Sequence, residues 1–173
     1  MQNRQSFLGW WDHFRQQNGI TFRIATSIPA DRFDSTVIPG MRTPRQLLLH
    51  TYGQVVRDIP VGIVAGEIGN FDQAAAEAKY TTKDAAIAFF RECWTAADTA
   101  AQSITDANLQ AIVKTPWGMS APGFVCATII NDEYLHHRGQ LFAYSRVLGI
   151  EPPKLWDFAN NEAMFAPKAA AQA

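Results

Sequence analysis

The sequence pattern that most constrains the fold lies between residues 126 and 148. Seven residues in this stretch follow one another at steps of three or four, which places them on one face of an α-helix. Five of the seven are apolar or aromatic, so the pattern predicts that this face points into a core. The two exceptions are Glu133 and His137, and a carboxylate that faces a core is costly unless it is paired or bound to a cation. The seven residues are Cys126, Ile130, Glu133, His137, Leu141, Tyr144 and Leu148.

Apolar spacing of the same kind predicts three further helices. Thr43 and Pro44 suit the N-cap and the first position of the second helix, and Pro60 is expected to kink or end it. Ser120 can cap the fourth helix, which should end at Gly149 because glycine is the common C-terminal stop. The helices are expected near residues 4–27, 43–65, 82–107 and 120–149.

The predicted helices define the fold class. No strand-like alternation of useful length is present, so four long helices favour an all-α four-helix bundle, with a long connection at residues 66–80 between the second and third helices. We expect this bundle to occupy residues 1–153, followed by a C-terminal extension at residues 154–173. Its last residues, from Lys168 onward, should be frayed. The aromatic residues expected to pack partly back on the bundle are Trp156, Phe158 and Phe165.

Composition excludes several classes of partner. The formal net charge of −1 argues against nucleic acid, since domains that bind it are usually strongly basic. No apolar run approaches the roughly 20 residues that cross a bilayer, and the N-terminus lacks the apolar core of a signal peptide, so we expect a cytoplasmic protein without membrane partners. Cys93 and Cys126 both fall on apolar stripes, which favours buried free thiols.

The histidines supply candidate metal ligands. His13 is expected to face solvent, and His136 lies about 100° around the helix from His137, so it should point to a flank. Judged from the residues alone, a buried hydrogen bond or ion pair involving Glu133 is the favoured interpretation of the Glu133–His137 pair. His50, on the second helix, would add a third ligand. Two imidazoles and one carboxylate leave coordination positions open, as in catalytic sites.

Three pieces of the sequence resemble a known family. They are His50 within Leu47-Leu-Leu-His, the segment His136-His-Arg-Gly-Gln, and the stop Gly149-Ile-Glu-Pro-Pro. On these pieces the chain resembles the DinB/YfiT-like superfamily from its first helix through Pro153. The resemblance implies a four-helix bundle, often dimeric, that binds a divalent metal through three histidines, one from the second helix and two from the last.

Carried over by position, the ligands fall on His50, position 133 and His137. The chain departs from the family pattern at Glu133, where a histidine is usual. A carboxylate oxygen can replace an imidazole nitrogen as ligand, and it adds negative charge to the site. Two alternatives stay open: Glu133 acts as a base beside two histidines, or the site is degenerate and holds no metal.

The three residues after His137 can be assigned expected roles. Gly139 should allow close approach of a neighbouring helix, because it has no side chain. Arg138 should hold an acidic partner rather than a substrate. Gln140 can hydrogen-bond across the bundle or to a ligand, and the sequence does not choose between these roles.

The sequence therefore predicts a metal-dependent enzyme that acts on a small molecule as substrate. The resemblance implies two types of reaction, hydrolysis and thiol-cofactor-dependent transfer or isomerisation, and the metal is zinc, nickel or iron. The alternative is a non-catalytic stress-response bundle that binds a metal or ligand without turnover. The resemblance and the chain's five tryptophans and eleven phenylalanines also lead us to expect a homodimer.

Overall fold

In the computed structural model, which describes residues 1–168, four long helical segments form the body of the fold. The helices are α1 (Arg4–Ser27), α2 (Pro44–His50), α3 (Asp58–Ala65), α4 (Gln73–Lys79), α5 (Lys83–Ser103), α6 (Asp106–Gln110) and α7 (Gly123–Val147), with a π-helical segment (Thr51–Arg57) between α2 and α3. Short 3-10 helices cover Ala30–Arg32, Phe158–Asn160 and Ala163–Phe165. Strands β1 (Ile112–Lys114) and β2 (Ser120–Pro122) form an antiparallel pair. The long segments are α1, α2 through α3, α5 and α7, which confirms the predicted four-helix bundle.

Side-chain caps begin most of these helices. Thr43 forms a capping box with Gln46 at the start of α2, and Pro44 takes the first helical position, as predicted. The predicted start of the fourth helix at Ser120 is wrong, because residues 120–122 pair with β1 and α7 begins at Gly123. The third helix likewise ends before residue 107, because Thr105 caps the separate helix α6.

The second helical segment continues past Pro60. The chain widens into the π-helical segment just before it, where the Asp58 N–H bonds to the Gly53 carbonyl, five residues back. Proline lacks an N–H and its ring clashes with the carbonyl four residues earlier, so a regular α-helix could not continue unchanged through this position. The helix resumes as α3 and stops at Gly66, which adopts a left-handed conformation with φ +84°.

The connection between the second and third long segments contains structure that the sequence did not predict. Asp72 accepts a hydrogen bond from the Ala75 N–H at 2.9 Å and caps α4. Next to α3, Ile68 donates to the Lys114 carbonyl at 2.9 Å. The connection is thereby attached to β1, and α4 packs against α2 at the same end of the bundle as residues 40–46.

The aromatic core extends into the C-terminal segment. Trp11 of α1 stacks on Trp94 of α5, and Phe165 is fully buried with its ring 5.7 Å from that of Trp94. The packing expected of Phe165 is therefore observed, whereas Trp156 is 71% exposed. Lys168 is bonded rather than frayed, since its Nζ lies 2.7 Å from Asp98 Oδ2. The remaining residues expected to fray, 169–173, lie outside the described residues.

Two further findings bear on the sequence predictions. Cys93 and Cys126 are buried free thiols, as expected. Among residues 1–168, no helix combines the length and the apolar character that crossing a membrane requires.

Candidate functional site

The buried face of α7 differs from the predicted one at Glu133, and Leu148, the last predicted residue, is half-buried just beyond the helix end. Its buried residues include Ile130, Tyr134, His137 and Leu141, so the core-facing stripe passes through Tyr134 instead of Glu133. The Tyr134 ring lies 4.7 Å from that of Phe14, and its hydroxyl is 2.6 Å from Thr21 Oγ1. The aromatic ring fills the contact with α1, and the Glu133 side chain stays 50% exposed at the edge of the bundle, where its carboxylate keeps access to water.

The fold brings two of the predicted ligands together. His50 ends α2, immediately before the π-helical segment, and His137 lies midway along α7. Their ring centroids are 4.9 Å apart, and the rings meet nearly edge-on at 83°. The second long segment thus faces the fourth, which the assignment of a shared site required. His137 is buried and His50 is half-buried.

Gln140 fixes the orientation of the His137 ring. The Nδ1 atom of His137 lies 3.2 Å from Gln140 Oε1, which can only accept, so Nδ1 carries the proton. In the neutral ring Nε2 then presents a lone pair. Partners that fix the tautomer in this way are typical of metal-binding histidines. The same Gln140 reaches His136, whose Nε2 lies 3.1 Å from Gln140 Nε2.

The Nε2 atom of His137 is buried and has no hydrogen-bond partner in the part of the chain that the structure describes. Glu133 Oε2 lies 3.5 Å from it, which is long for a hydrogen bond. In a tetrahedral site with ligand distances of about 2.0–2.2 Å, donor atoms are about 3.3–3.6 Å apart. The distance between the orphaned nitrogen and the carboxylate therefore suits two ligands of one divalent cation, and the neighbouring His50 imidazole adds a third donor of suitable chemistry.

The three side chains do not yet surround one point. Within residues 1–168, no group of three histidine, cysteine, aspartate or glutamate side chains is gathered as a metal ion would need. His50 and His137 form one close pair, Glu133 and His137 form the other, and Glu133 is the most exposed member.

Both imidazoles are held in the neutral form that metal binding requires. Burial lowers the pKa of His50 to about 4, with the charge of Arg42 and the neighbouring His137 acting in the same direction. Burial also lowers the pKa of His137, although Gln140 and Glu133 oppose it. Neutral imidazole is the ligating form, so neither ring has to lose a proton at neutral pH before it can bind a metal.

The other residues to which sequence reasoning assigned expected roles lie outside the histidine pair. His136 is exposed on a flank, as expected from the helix geometry. His13 was expected in solvent but is half-buried, with its ring 5.8 Å from that of Trp156. Arg138 was expected to hold an acidic partner and instead lies over the Tyr134 ring at 5.5 Å. Burial raises the pKa of the Cys93 thiol to about 12, which leaves it a poor nucleophile.

Sequence reasoning missed Arg42, which lies next to the histidine pair. Its positive charge lowers the pKa of both His50 and His137, and its backbone carbonyl accepts a hydrogen bond from the Tyr144 hydroxyl at 2.9 Å. The only available signal was its position one residue before Thr43, the N-cap of the helix that carries His50. That signal places Arg42 at a helix end and gives no hint of which partner helix it meets.

Fold and site together define a four-helix-bundle protein with a candidate metal centre between its second and fourth long segments. The chain belongs to the DinB family, whose family model matches residues 1–168. No curated protein matches the sequence.

Solved DinB-like proteins share the fold. The DinB-like protein YjoA from Bacillus subtilis has a TM-score of 0.68 at 15% identity, with 87% of this chain and 96% of that chain covered. A DinB-like protein from Bacillus cereus has a TM-score of 0.68 at 23% identity, with coverage of 88% and 97%. YfiT from Bacillus subtilis, described as a probable metal-dependent hydrolase with an unusual four-helix bundle topology, has a TM-score of 0.62 at 15% identity, with coverage of 83% and 89%.

Proposed function

We propose that this chain is a metal-dependent hydrolase of a small molecule, with His50 and His137 as imidazole ligands of a divalent cation and Glu133 as the third ligand. The observation that carries the proposal is the buried Nε2 atom of His137, which has no hydrogen-bond partner among residues 1–168, on a ring 4.9 Å from that of His50 and with Glu133 Oε2 3.5 Å away. A buried polar atom without a partner is costly, and a bound cation removes that cost. The description of YfiT as a probable metal-dependent hydrolase supports the reaction class.

Each residue of the site has a defined role in this proposal. His50 and His137 offer neutral nitrogens because burial keeps their pKa values low. Gln140 holds the His137 ring so that Nε2, and not Nδ1, is the free nitrogen. Glu133 would bind as the third ligand through the carboxylate that lies 3.5 Å from His137 Nε2, and its half-exposed position leaves this side of the site open to water. A divalent cation bound here would supply Lewis acidity and lower the pKa of a bound water.

A polar groove beside the site supports catalysis over simple metal storage. It has a volume of about 510 Å³ and shares Gln140 with the histidine pair. Small-molecule sites commonly have volumes of about 300–1,000 Å³ and contain a few convergent polar groups. A protein that only stored metal would have no use for such a groove, whereas one that binds a ligand without turnover would use it as an enzyme does. Thiol-dependent transfer stays a prediction from the family resemblance, as do the homodimer and the cytoplasmic location.

The test is metal binding by the purified full chain. Zinc, nickel or ferrous iron is supplied after chelation, and bound metal is measured by elemental analysis after desalting. We expect about one equivalent in the wild type and in the His136→Ala control. Both His50→Ala and His137→Ala should lose the metal, and Glu133→Gln should weaken its binding. Metal retention by the His137→Ala variant, or its loss from the His136→Ala variant, would refute the ligand assignment.

Hydrolysis is then tested separately on the loaded protein. A panel of ester, amide and phosphoester substrates of small size is screened with the wild type and with the His137→Ala variant. Turnover that depends on both added metal and His137 supports the proposed reaction. If one equivalent of metal binds but no member of the panel is hydrolysed, the non-catalytic binding protein becomes the better interpretation.

A further inference from the structure

We propose that the groove beside His137 recognises a small zwitterion, whose carboxylate pairs with Arg42 and whose ammonium group pairs with Glu77. The proposal rests on the proposed function only in taking this groove as the place where the substrate lies. The groove, called here the amide groove, is lined by Gly40, Met41, Arg42, Gln46, Gln73, Glu77 and Gln140. Its charged groups are thus one guanidinium and one carboxylate, and three amide side chains supply further hydrogen-bonding groups.

The backbone of Arg42 is anchored, whereas the charge of its guanidinium is not paired within residues 1–168. Its guanidinium forms no hydrogen bond or ion pair with any residue from 1 to 168, whereas its backbone is held by the Tyr144 hydroxyl at 2.9 Å and by the capping box that begins at Thr43. The backbone anchor fixes where the side chain starts, and the guanidinium fork stays available for a bidentate contact. Guanidinium matches the planar geometry of a carboxylate better than any other side chain does.

Glu77 supplies the negative charge of the groove, and its carboxylate contacts only neutral hydrogen-bond donors among the described residues. Its carboxylate accepts a hydrogen bond from Gln73 Nε2 at 2.6 Å and another from Gln46 Nε2 at 3.0 Å. Both donors are neutral, and within residues 1–168 no lysine, arginine or histidine forms an ion pair with Glu77. The nearby Arg45 contacts the Glu77 backbone carbonyl at 3.1 Å and pairs instead with Asp34. A carboxylate has about four lone-pair positions, so two amides leave room for an ammonium group.

The balance of charges selects the ligand class. A doubly charged phosphate would meet a single guanidinium and the repulsion of Glu77 in the same groove, and like charges brought together oppose binding. A ligand with one carboxylate and one ammonium group, such as an amino acid or a dipeptide, offsets both unpaired charges. Gln140 joins the groove to the His137 ring at 3.2 Å, so a ligand held at Arg42 lies next to the histidine pair.

The experiment measures binding of three matched probes to the full chain by calorimetry, with and without added zinc. The probes are the dipeptide alanyl-alanine, its N-acetyl derivative and its C-terminal amide. We expect the free dipeptide to bind at least 10-fold more tightly than either blocked form. The Arg42→Gln and Glu77→Gln variants should each lose about 10-fold or more in affinity for the free dipeptide, as loss of a charged hydrogen-bonded pair implies.

The controls separate recognition from stability and from metal binding. Arg146→Gln makes the same charge change at an exposed arginine outside the groove and should bind the dipeptide like the wild type. Arg42→Lys keeps the charge and should recover part of the lost affinity. The Arg42→Gln variant should keep its bound metal. The probes are also measured without zinc, so failure of the wild type to bind metal would count against the proposed function alone. No measurable dipeptide binding, equal binding of the amide, or equal losses in Arg42→Gln and Arg146→Gln would overturn the zwitterion proposal.

Discussion

At the scale of single residues, the neutral state of His50 makes stability depend on pH. Burial, together with Arg42 and His137, lowers the pKa of His50 to about 4, against a value near 6.5 in an unfolded chain. Between these values the unfolded state binds a proton that the folded state does not. The free energy of unfolding therefore falls as the pH is lowered through this window, and it is highest above it.

We accordingly expect His50→Gln to reduce the acid sensitivity of the metal-free protein. The measurement is urea denaturation in the presence of a chelator at pH 7.5 and pH 4.5, with the difference between the two unfolding free energies compared among variants. That difference should be smaller in His50→Gln than in the wild type. His136→Gln removes an exposed histidine from the neighbouring helix and serves as the control. An unchanged pH dependence in His50→Gln would mean that burial does not hold the ring neutral.

The residues of the site were only partly predictable. His50 and His137 could be placed because helical spacing and the family pattern both pointed to them. Burial of Glu133 was predicted wrongly, because neighbouring helix positions lie about 100° apart and either residue 133 or 134 could continue the stripe. Tyr134 occupies the core because it packs against Phe14 of α1, and the sequence of one helix does not reveal its contacts with another. Arg42 precedes the N-cap of the helix that carries His50, and no local pattern reveals that it lies near the histidine pair.

At the scale of secondary-structure elements, two helical glycines should respond oppositely to alanine. A Cβ atom on Gly53, in the π-helical segment, would come within 2.4 Å of the Phe71 ring, whereas one on Gly139 in α7 would meet nothing within 4 Å among the described residues. Gly53→Ala should therefore destabilise the fold by about 1–3 kcal/mol. Gly139→Ala should stabilise it by about 0.5–1 kcal/mol, because alanine favours helix over glycine. Thermal melting of the two variants beside the wild type gives both signs.

The Gly139→Ala variant also tests whether a second copy of the chain contacts α7. The sequence led us to expect close helix approach at Gly139, yet within residues 1–168 no atom from outside its own turn of α7 would touch its Cβ. A destabilising Gly139→Ala would therefore contradict the helix-propensity argument and would point to a contact made by a second copy of the chain. An unaffected Gly53→Ala would show that the Phe71 ring moves aside without cost.

Elements were predictable where a local side chain decides them. The capping box at Thr43 and the cap at Thr82 mark helix starts through hydrogen bonds to residues three positions on. The π-helical segment was not predictable, since Pro60 equally permits a kink or an end. Strands β1 and β2 have three residues each and depend on pairing with one another, so periodicity over so short a span carries no signal.

At the scale of the whole molecule, the bundle could be predicted because four long segments had to bury apolar faces and no alternating strands competed with them. The extent of the C-terminal packing could not, because it depends on distant partners. Arg91 pairs with Glu162 at 2.7 Å, and the Lys168 backbone N–H bonds to Asp12 Oδ1 at 3.1 Å. The homodimer stays a prediction, and sedimentation that yields only a 19.2 kDa species at micromolar concentration would count against it.

The C-terminal segment gives the last prediction, because it completes the core rather than decorating it. Phe165 is fully buried, and its ring lies 5.6 Å from Phe22, 6.1 Å from Phe90 and 5.7 Å from Trp94. Removing a buried phenylalanine side chain typically costs about 3–5 kcal/mol through lost burial and the cavity left behind. For a chain of this size we therefore expect Phe165→Ala to lower the melting temperature by about 6–20 °C.

Trp156 provides the matched control, since it belongs to the same segment and is 71% exposed. Trp156→Ala removes a larger aromatic side chain, so it would cost more than Phe165→Ala if hydrophobic size alone mattered. We expect it to change the melting temperature by no more than about 2 °C, because surface substitutions usually alter stability by less than about 0.5 kcal/mol. Equal melting temperatures for the two variants would mean that the segment lies loosely on the bundle. A large loss confined to Phe165→Ala would show that the core between α1 and α5 needs residues beyond 153 to close it.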